Sequence, residues 1–217
     1  MNSSKSPFRI RLGVTGHRAI NDPENIALKV KEILRSEIYE LLENEISQEK
    51  TNPVALMFTV VTPLAEGADR LIAKEVLKFP ESDIEVVLPF AKDDYMQDFE
   101  TEESRQEFEE LYQKSQKPIV LKNNLSAGAF STIERTEARN KAYEDAGRYV
   151  VTHCDILIAL WDGRPSRGRG GTAEIVAYAR EEKRPLIIIS TENLEHIVIG
   201  KGRKINELTS FNFEPRK

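Results

Sequence analysis

DILIALWDGRPSRGRGGTAEIVAYAR, residues 155–180, joins a run of large apolar residues to a helical pattern through a glycine-rich turn. After Asp155, residues 156–161 are apolar on both alternating faces, as expected of a strand at 155–161 covered on its two sides by helices. Asp162 and Gly163 end the strand, and a helix begins near Thr172. Gly168, Gly170 and Gly171 can expose backbone amides, and Thr172 can cap the helix or hold a phosphate. Glu174 falls in the first turn, where the helix dipole favours negative charge. Such a carboxylate suits a nucleophile, a base or an acceptor for ribose hydroxyls. It would repel an adjacent phosphate, so the glycine amides are expected to face phosphate and Glu174 the sugar.

The same strand–turn–helix unit recurs along the chain. Strands are expected at 8–14, 54–61, 84–88 and 186–190, and helices at 23–46, 67–78 and 134–151. Asp22 is a good N-cap for the first helix, and Pro23 suits its first position. Short apolar strands alternating with helices predict an α/β fold. The expected architecture is a Rossmann-like, doubly wound, mostly parallel sheet of about five strands with helices on both faces. Ligands in such sheets bind at the carboxyl ends of the strands, on the loops leading into helices.

Two further loops lie on that edge. Thr15-Gly16-His17-Arg18 combines a hydroxyl, a flexible backbone and two donors suited to phosphate or carboxylate. It lacks the G-x-G-x-x-G pattern of dinucleotide sites. Glu66-Gly67-Ala68-Asp69-Arg70 follows the second strand, where small residues let a ligand approach a helix start. Asp69 there also suits plain helix stabilisation. Three small-residue turns on one edge, each with a polar partner, predict a ligand site. After the strand at 84–88, Asp94 could accept from ribose hydroxyls and Tyr95 could stack on a base. Residues 89–133 are long for an α/β connection and are expected to form a lid-like insertion. Its stretch 93–110 is acidic, with Arg105 as the only basic residue. Such runs are usually solvated faces.

With 217 residues, 40% of them hydrophobic, the chain suits a single globular domain. Its net charge of −5 argues against general nucleic-acid binding. No apolar run approaches the roughly 20 residues that span a bilayer, so no membrane association is expected. The first residues lack the apolar core of a secretory signal. Cys154 is the only cysteine, which excludes an internal disulfide and fits a cytoplasmic protein. His153 and His196 stand apart without metal-ligand spacing, so no metal is expected. The segment after Lys201 carries Phe211 and Phe213 in a polar setting, a candidate docking tail.

GVTGHR (13–18), AEGADRLIAKEV (65–76) and CDILIALWDG followed by GRGGTAEIVAYAR, in that order, resemble the SLOG superfamily, which takes its name from the DprA/Smf and LOG proteins. The resemblance covers about residues 8–190 and implies one Rossmann-like domain that binds nucleotide-derived molecules, with no cofactor required. Some members cleave the bond between base and ribose 5′-phosphate. Others sense signals of the cyclic ADP-ribose type. The catalytic LOG motif, P-G-G-x-G-T-x-x-E with an upstream Arg-Lys, compares here with Gly168 to Glu174 and with Arg139. The proline is absent and Glu174 follows Thr172 by two residues. The turn also resembles that of nucleoside deoxyribosyltransferases, where a glutamate is the nucleophile.

Three readings follow. The favoured one is a sensor of an ADP-ribose- or NAD-related small molecule, for which family resemblance suggests a homo-oligomer; an effector protein is a further candidate partner. The second is an N-glycosidic hydrolase or transferase using Glu174. The third is an interaction subunit with a vestigial site.

Overall fold

The computed structural model describes residues 8–36, 38, 56–122, 132–166 and 169–200. In chain order the elements are β1 (Phe8–Gly16), α1 (Pro23–Arg35), β2 (Leu56–Thr62), α2 (Ala68–Val76), β3 (Asp83–Leu88), α3 (Lys92–Met96) and α4 (Glu102–Tyr112). There follow β4 (Ile119–Val120), α5 (Thr132–Thr152), β5 (Ile156–Trp161), α6 (Thr172–Glu181), β6 (Leu186–Ser190) and β7 (His196–Ile199). The expected extension of the first helix to residue 46, the glycine at 168, residues 123–131 of the insertion and the aromatic tail lie outside the described residues.

Seven strands form one sheet in the order β4-β3-β2-β1-β5-β6-β7, parallel except for the β6–β7 pair. The expected α/β, mostly parallel architecture is therefore present. The two additional strands sit at the edges, and each is too short for hydrophobic periodicity to reveal it. β1 is the hinge of the topology. Leu12 lies beside Val60 of β2 on one side and beside Ile156 of β5 on the other. The chain winds outward from β1 through β2, β3 and β4, then returns to its other side with β5. That reversal opens a crevice above the carboxyl ends of β1 and β5, the place where doubly wound sheets bind ligands.

The core follows from the apolar strands. Ile10, Leu12, Phe58, Val60, Val86, Ile156, Ile158 and Leu160 are all essentially inaccessible. Ile26, Val30, Ile33 and Leu34 bring one face of α1 against them, at the spacing of a single helical stripe. The acidic insertion is not a detached lid through its described part. Phe90, Tyr95, Phe99 and Phe108 are buried in a chain of edge-to-face and tilted ring contacts, with centroids 5.1–5.8 Å apart. Asp98 and Glu107 pair with Arg139 and Arg70, its aromatic residues complete the core, and β4 adds a strand to the sheet. No described helix is long and apolar enough to cross a membrane.

The sharpest fit is at Gly67, the N-cap of α2, with φ of 77°. A Cβ there would stand 2.1 Å from the Arg18 carbonyl oxygen and 2.5 Å from that of His17. The Ala68 amide donates to the His17 carbonyl at 3.0 Å. The loops after β1 and β2 thus interlock backbone to backbone. Gly67→Ala combines an unfavourable φ with this clash and should cost about 2 kcal/mol or more. A fall in Tm of roughly 4–8 °C is expected in a thermal melt. An unchanged Tm would mean that the two loops are not in contact.

Candidate functional site

A cleft of about 1140 Å³ lies over the carboxyl ends of β2, β1, β5 and β6. It gathers Thr15, Gly16, His17, Arg18, Asp69, Tyr95, Asp162, Gly170, Gly171 and Thr172 from the sequence-based set. On its β6 side, Gly171 and Thr172 open α6, whose first amides have no partner within the helix. Arg164 and Arg169 border the same side. This is an anion site built from orphan amides and a helix dipole; the two guanidinium groups at its border are already ion-paired, Arg164 with Glu192 and Asp162, and Arg169 with Glu144.

The middle of the cleft is set by β1 and β5. His17 Nε2 lies 3.1 Å from the Asp162 amide nitrogen and 3.0 Å from the Asp162 carboxylate. A neutral ring accepts from the amide, whereas a protonated one pairs with the carboxylate. The Arg164 amide donates to Asp162 Oδ1 at 3.0 Å. That bond, with His17 beside it, holds the Asp162 carboxyl below the usual range. Trp161 Nε1 donates to the Arg164 carbonyl at 2.9 Å, fixing the turn that carries both residues.

The β2 side is different in character. Asp69 is only 4% exposed. Its carboxylate accepts from the Ala65 amide at 3.1 Å, and it is also bonded to Thr62. Burial outweighs these bonds and the nearby charges of Arg18 and Arg70, pushing the Asp69 pKa up to about 7. Arg18 carries its guanidinium carbon 5.6 Å from the Tyr143 ring centre. Burial opposes its charge, but Tyr95, Tyr143 and Asp98 together raise its pKa above the ordinary value. Tyr143 in turn donates to Asp98, and burial with that bond lifts its phenol to about 12.

Several expected site residues do other work. Glu174 does not border the cleft. Its Oε2 accepts from the Gly170 amide at 2.6 Å, and it lines a separate groove of about 550 Å³ between α5 and α6, with Glu144, Arg148, Tyr178 and Glu181. It therefore fastens the glycine turn rather than facing the sugar position. Gly67 and Ala68 are filled by the preceding loop, not by ligand space. Glu66 accepts from the Ser104 hydroxyl. Arg70 is 1% exposed, donating to the Leu64 and Ser104 carbonyls and to Glu107 while stacking 4.3 Å from the Phe99 ring. These two residues bind α4 to the β2 loop. Arg139 pairs with Asp98 and covers Phe90, away from the cleft. Asp94 and Gly163 do not line the cleft, and Tyr95 has its ring committed to the aromatic core. Cys154 is buried, its thiol pushed up to about 12, an inert core position.

Sequence reasoning missed Asn140, Tyr143 and Gly147, which bring one face of α5 to the cleft. Their spacing of three and four residues is a helical stripe that could have been found. Attention fell instead on Arg139, one position and about 100° away around the helix.

No family model matches the chain, and no curated protein matches it. Among solved structures, the X-ray structure of DNA processing protein A (DprA) from Streptococcus pneumoniae is similar over 83% of this chain, with a TM-score of 0.50 and 16% identity. The resemblance to the SLOG superfamily holds at the level of the fold. This chain spans about half the length of the DprA structure, covering 50% of it. The likeness also corrects one expectation. A DNA processing protein carries this fold, so the mild acidic balance does not exclude nucleic acid as a partner. Net charge sums over the whole chain, whereas binding depends on where the charges lie.

The raised carboxyl of Asp69 has a thermodynamic signature. Its folded pKa of about 7 lies above the ordinary value of 3.8. The folded state therefore keeps a proton that the unfolded chain releases, and stability falls as pH rises between those values. The full effect above pH 7 is on the order of 4 kcal/mol. Urea unfolding of wild type and Asp69→Asn should give similar stabilities near about pH 4 and a variant gaining steadily on wild type up to about pH 7. Parallel pH profiles would show that the carboxyl titrates normally.

Proposed function

We propose that the cleft binds a nucleotide-derived small molecule, with ADP-ribose- or NAD-related compounds favoured, and that the chain acts as a sensor or regulator of it. The observation that carries this reading is one cleft at the topological switch point holding an anion site and a polar, aromatic-walled side. The amides of Gly171 and Thr172, with Arg164 and Arg169, suit the diphosphate. Thr15 to Arg18 support its β1 side, and Trp161 and Tyr143 offer flat surfaces for a base or sugar. The fold shared with DprA is consistent with a nucleotide-related role.

The glycosidic hydrolase or transferase reading loses its intended residue, because Glu174 is bonded to the Gly170 amide outside the cleft. Under the binding reading, Glu174→Gln keeps ligand affinity within about threefold, since it removes charge from a bond that only steadies the turn. Arg18→Ala should weaken binding at least about tenfold, the loss of one charge-assisted contact.

The test is a thermal-shift panel of NAD, ADP-ribose, cyclic ADP-ribose, AMP, ATP, deoxynucleosides and a short single-stranded DNA. A compound at 100 times its Kd adds about 2.7 kcal/mol, a rise of roughly 5–10 °C for a domain of this size. A shift with one nucleotide class supports the reading. A shift confined to the oligonucleotide moves the function to nucleic acid, and slow cleavage of a bound nucleotide makes it an enzyme.

A further inference from the structure

The β2 side of the cleft holds a buried carboxyl group. Asp69 is 4% exposed, yet it borders the cleft rather than the core. Every group facing it can be named. The Ala65 amide and Thr62 bond to it from the β2 loop. Arg18 approaches from the β1 loop and Arg70 from its own helix, while the Tyr95 phenol comes from α3. Neither arginine forms a direct ion pair with it; Arg70 bonds to Leu64, Ser104 and Glu107 through Nε and Nη1, and its Nη2 is buried without a partner. Two donors occupy a group that can accept about four hydrogen bonds when ionised. The remaining acceptor capacity lies at the cleft wall, which Asp69 lines.

We infer that Asp69 is the specificity-determining residue of the cleft, entering the complex as a carboxylic acid and binding, as a carboxylate, a neutral donor group of the ligand with release of one proton. Binding donors to the charged form favours it, which closes the cycle with the burial that disfavours it in the empty cleft. A diphosphate diester brings no donor for this carboxyl, so the ligand's diphosphate belongs on the α6 side and its donors on the β2 side. The donors are paired sugar hydroxyls or the amino edge of a base, which present the same chemistry. This inference rests on the proposed nucleotide-binding role.

The experiment is calorimetric titration with ADP-ribose in two buffers of different ionisation enthalpy, from about pH 6 to about pH 9. The diphosphate ester does not titrate in this range, so exchanged protons belong to the protein. Release of about one proton at the acid end, fading toward zero above Asp69's own titration, is expected, with affinity weakening up to about tenfold per pH unit on the acid side. Asp69→Asn should abolish the release and flatten the affinity profile. Repeating the titration with the analogue whose base is unsubstituted purine, which has neither the amino group nor an N1–H, separates the sources: retained release assigns the donors to the sugar, lost release to the base. ADP-ribose binding without proton release, or release that survives in Asp69→Asn, overturns the inference and leaves the binding site standing. Failure of wild type to bind any nucleotide of the thermal-shift panel overturns both.

Discussion

The close approach of the β1 loop to the start of α2 is the constraint on which the site depends. Two consecutive carbonyls, those of His17 and Arg18, occupy the space that a side chain at residue 67 would need. That contact holds Arg18 at the cleft and lets Asp69, two residues beyond the contact point, stand on the cleft wall. The same approach explains why a small-residue helix start here does not serve as an anion site. Its first amide is already given to a protein carbonyl. The anion-binding capacity of the edge is thereby concentrated at α6, where the first amides remain open to the cleft.

Two of the cleft's carboxylates, Asp162 and Asp69, follow opposite rules because their surroundings differ. Asp162 lies among donors, the Arg164 amide and the His17 ring, and stays ionised. Asp69 lies where burial dominates and sits near its titration point. Glu174 has neither role, being spent on the amide of Gly170, whose φ of 77° and close contact with the backbone of Glu144 make that turn a fixed feature. Chemistry at this cleft therefore belongs to the aspartates and the α6 amides.

Much of this was legible in the sequence. The apolar runs at 156–161 and 186–189 made the parallel sheet legible, because strands buried on both faces have no polar alternation to confuse them, and 84–88 read as a strand despite Glu85. The loops at 15–18 and 170–172 were identified as cleft residues from small residues placed at strand ends. What failed was direction. Glu66, Arg70 and Glu174 share loops or helix starts with true cleft residues, but neighbouring positions on a helix differ by about 100° and face different partners. The aromatic core within 89–112 was hidden by the charges around it, since hydrophobic residues spaced between acidic ones read as a solvated face. Tyr143 shows its place only together with Asn140 and Gly147, as one stripe of α5 on the cleft, and not from its own neighbours in sequence.

Chemical-shift mapping with isotope-labelled protein and ADP-ribose tests the central claim most directly, that the switch-point cleft and not the outer α5–α6 groove is the ligand site. The account predicts amide perturbations clustered at residues 15–18, 162–165 and 170–173. Perturbations centred on Arg148, Tyr178 and Glu181, with those loops unmoved, would contradict it.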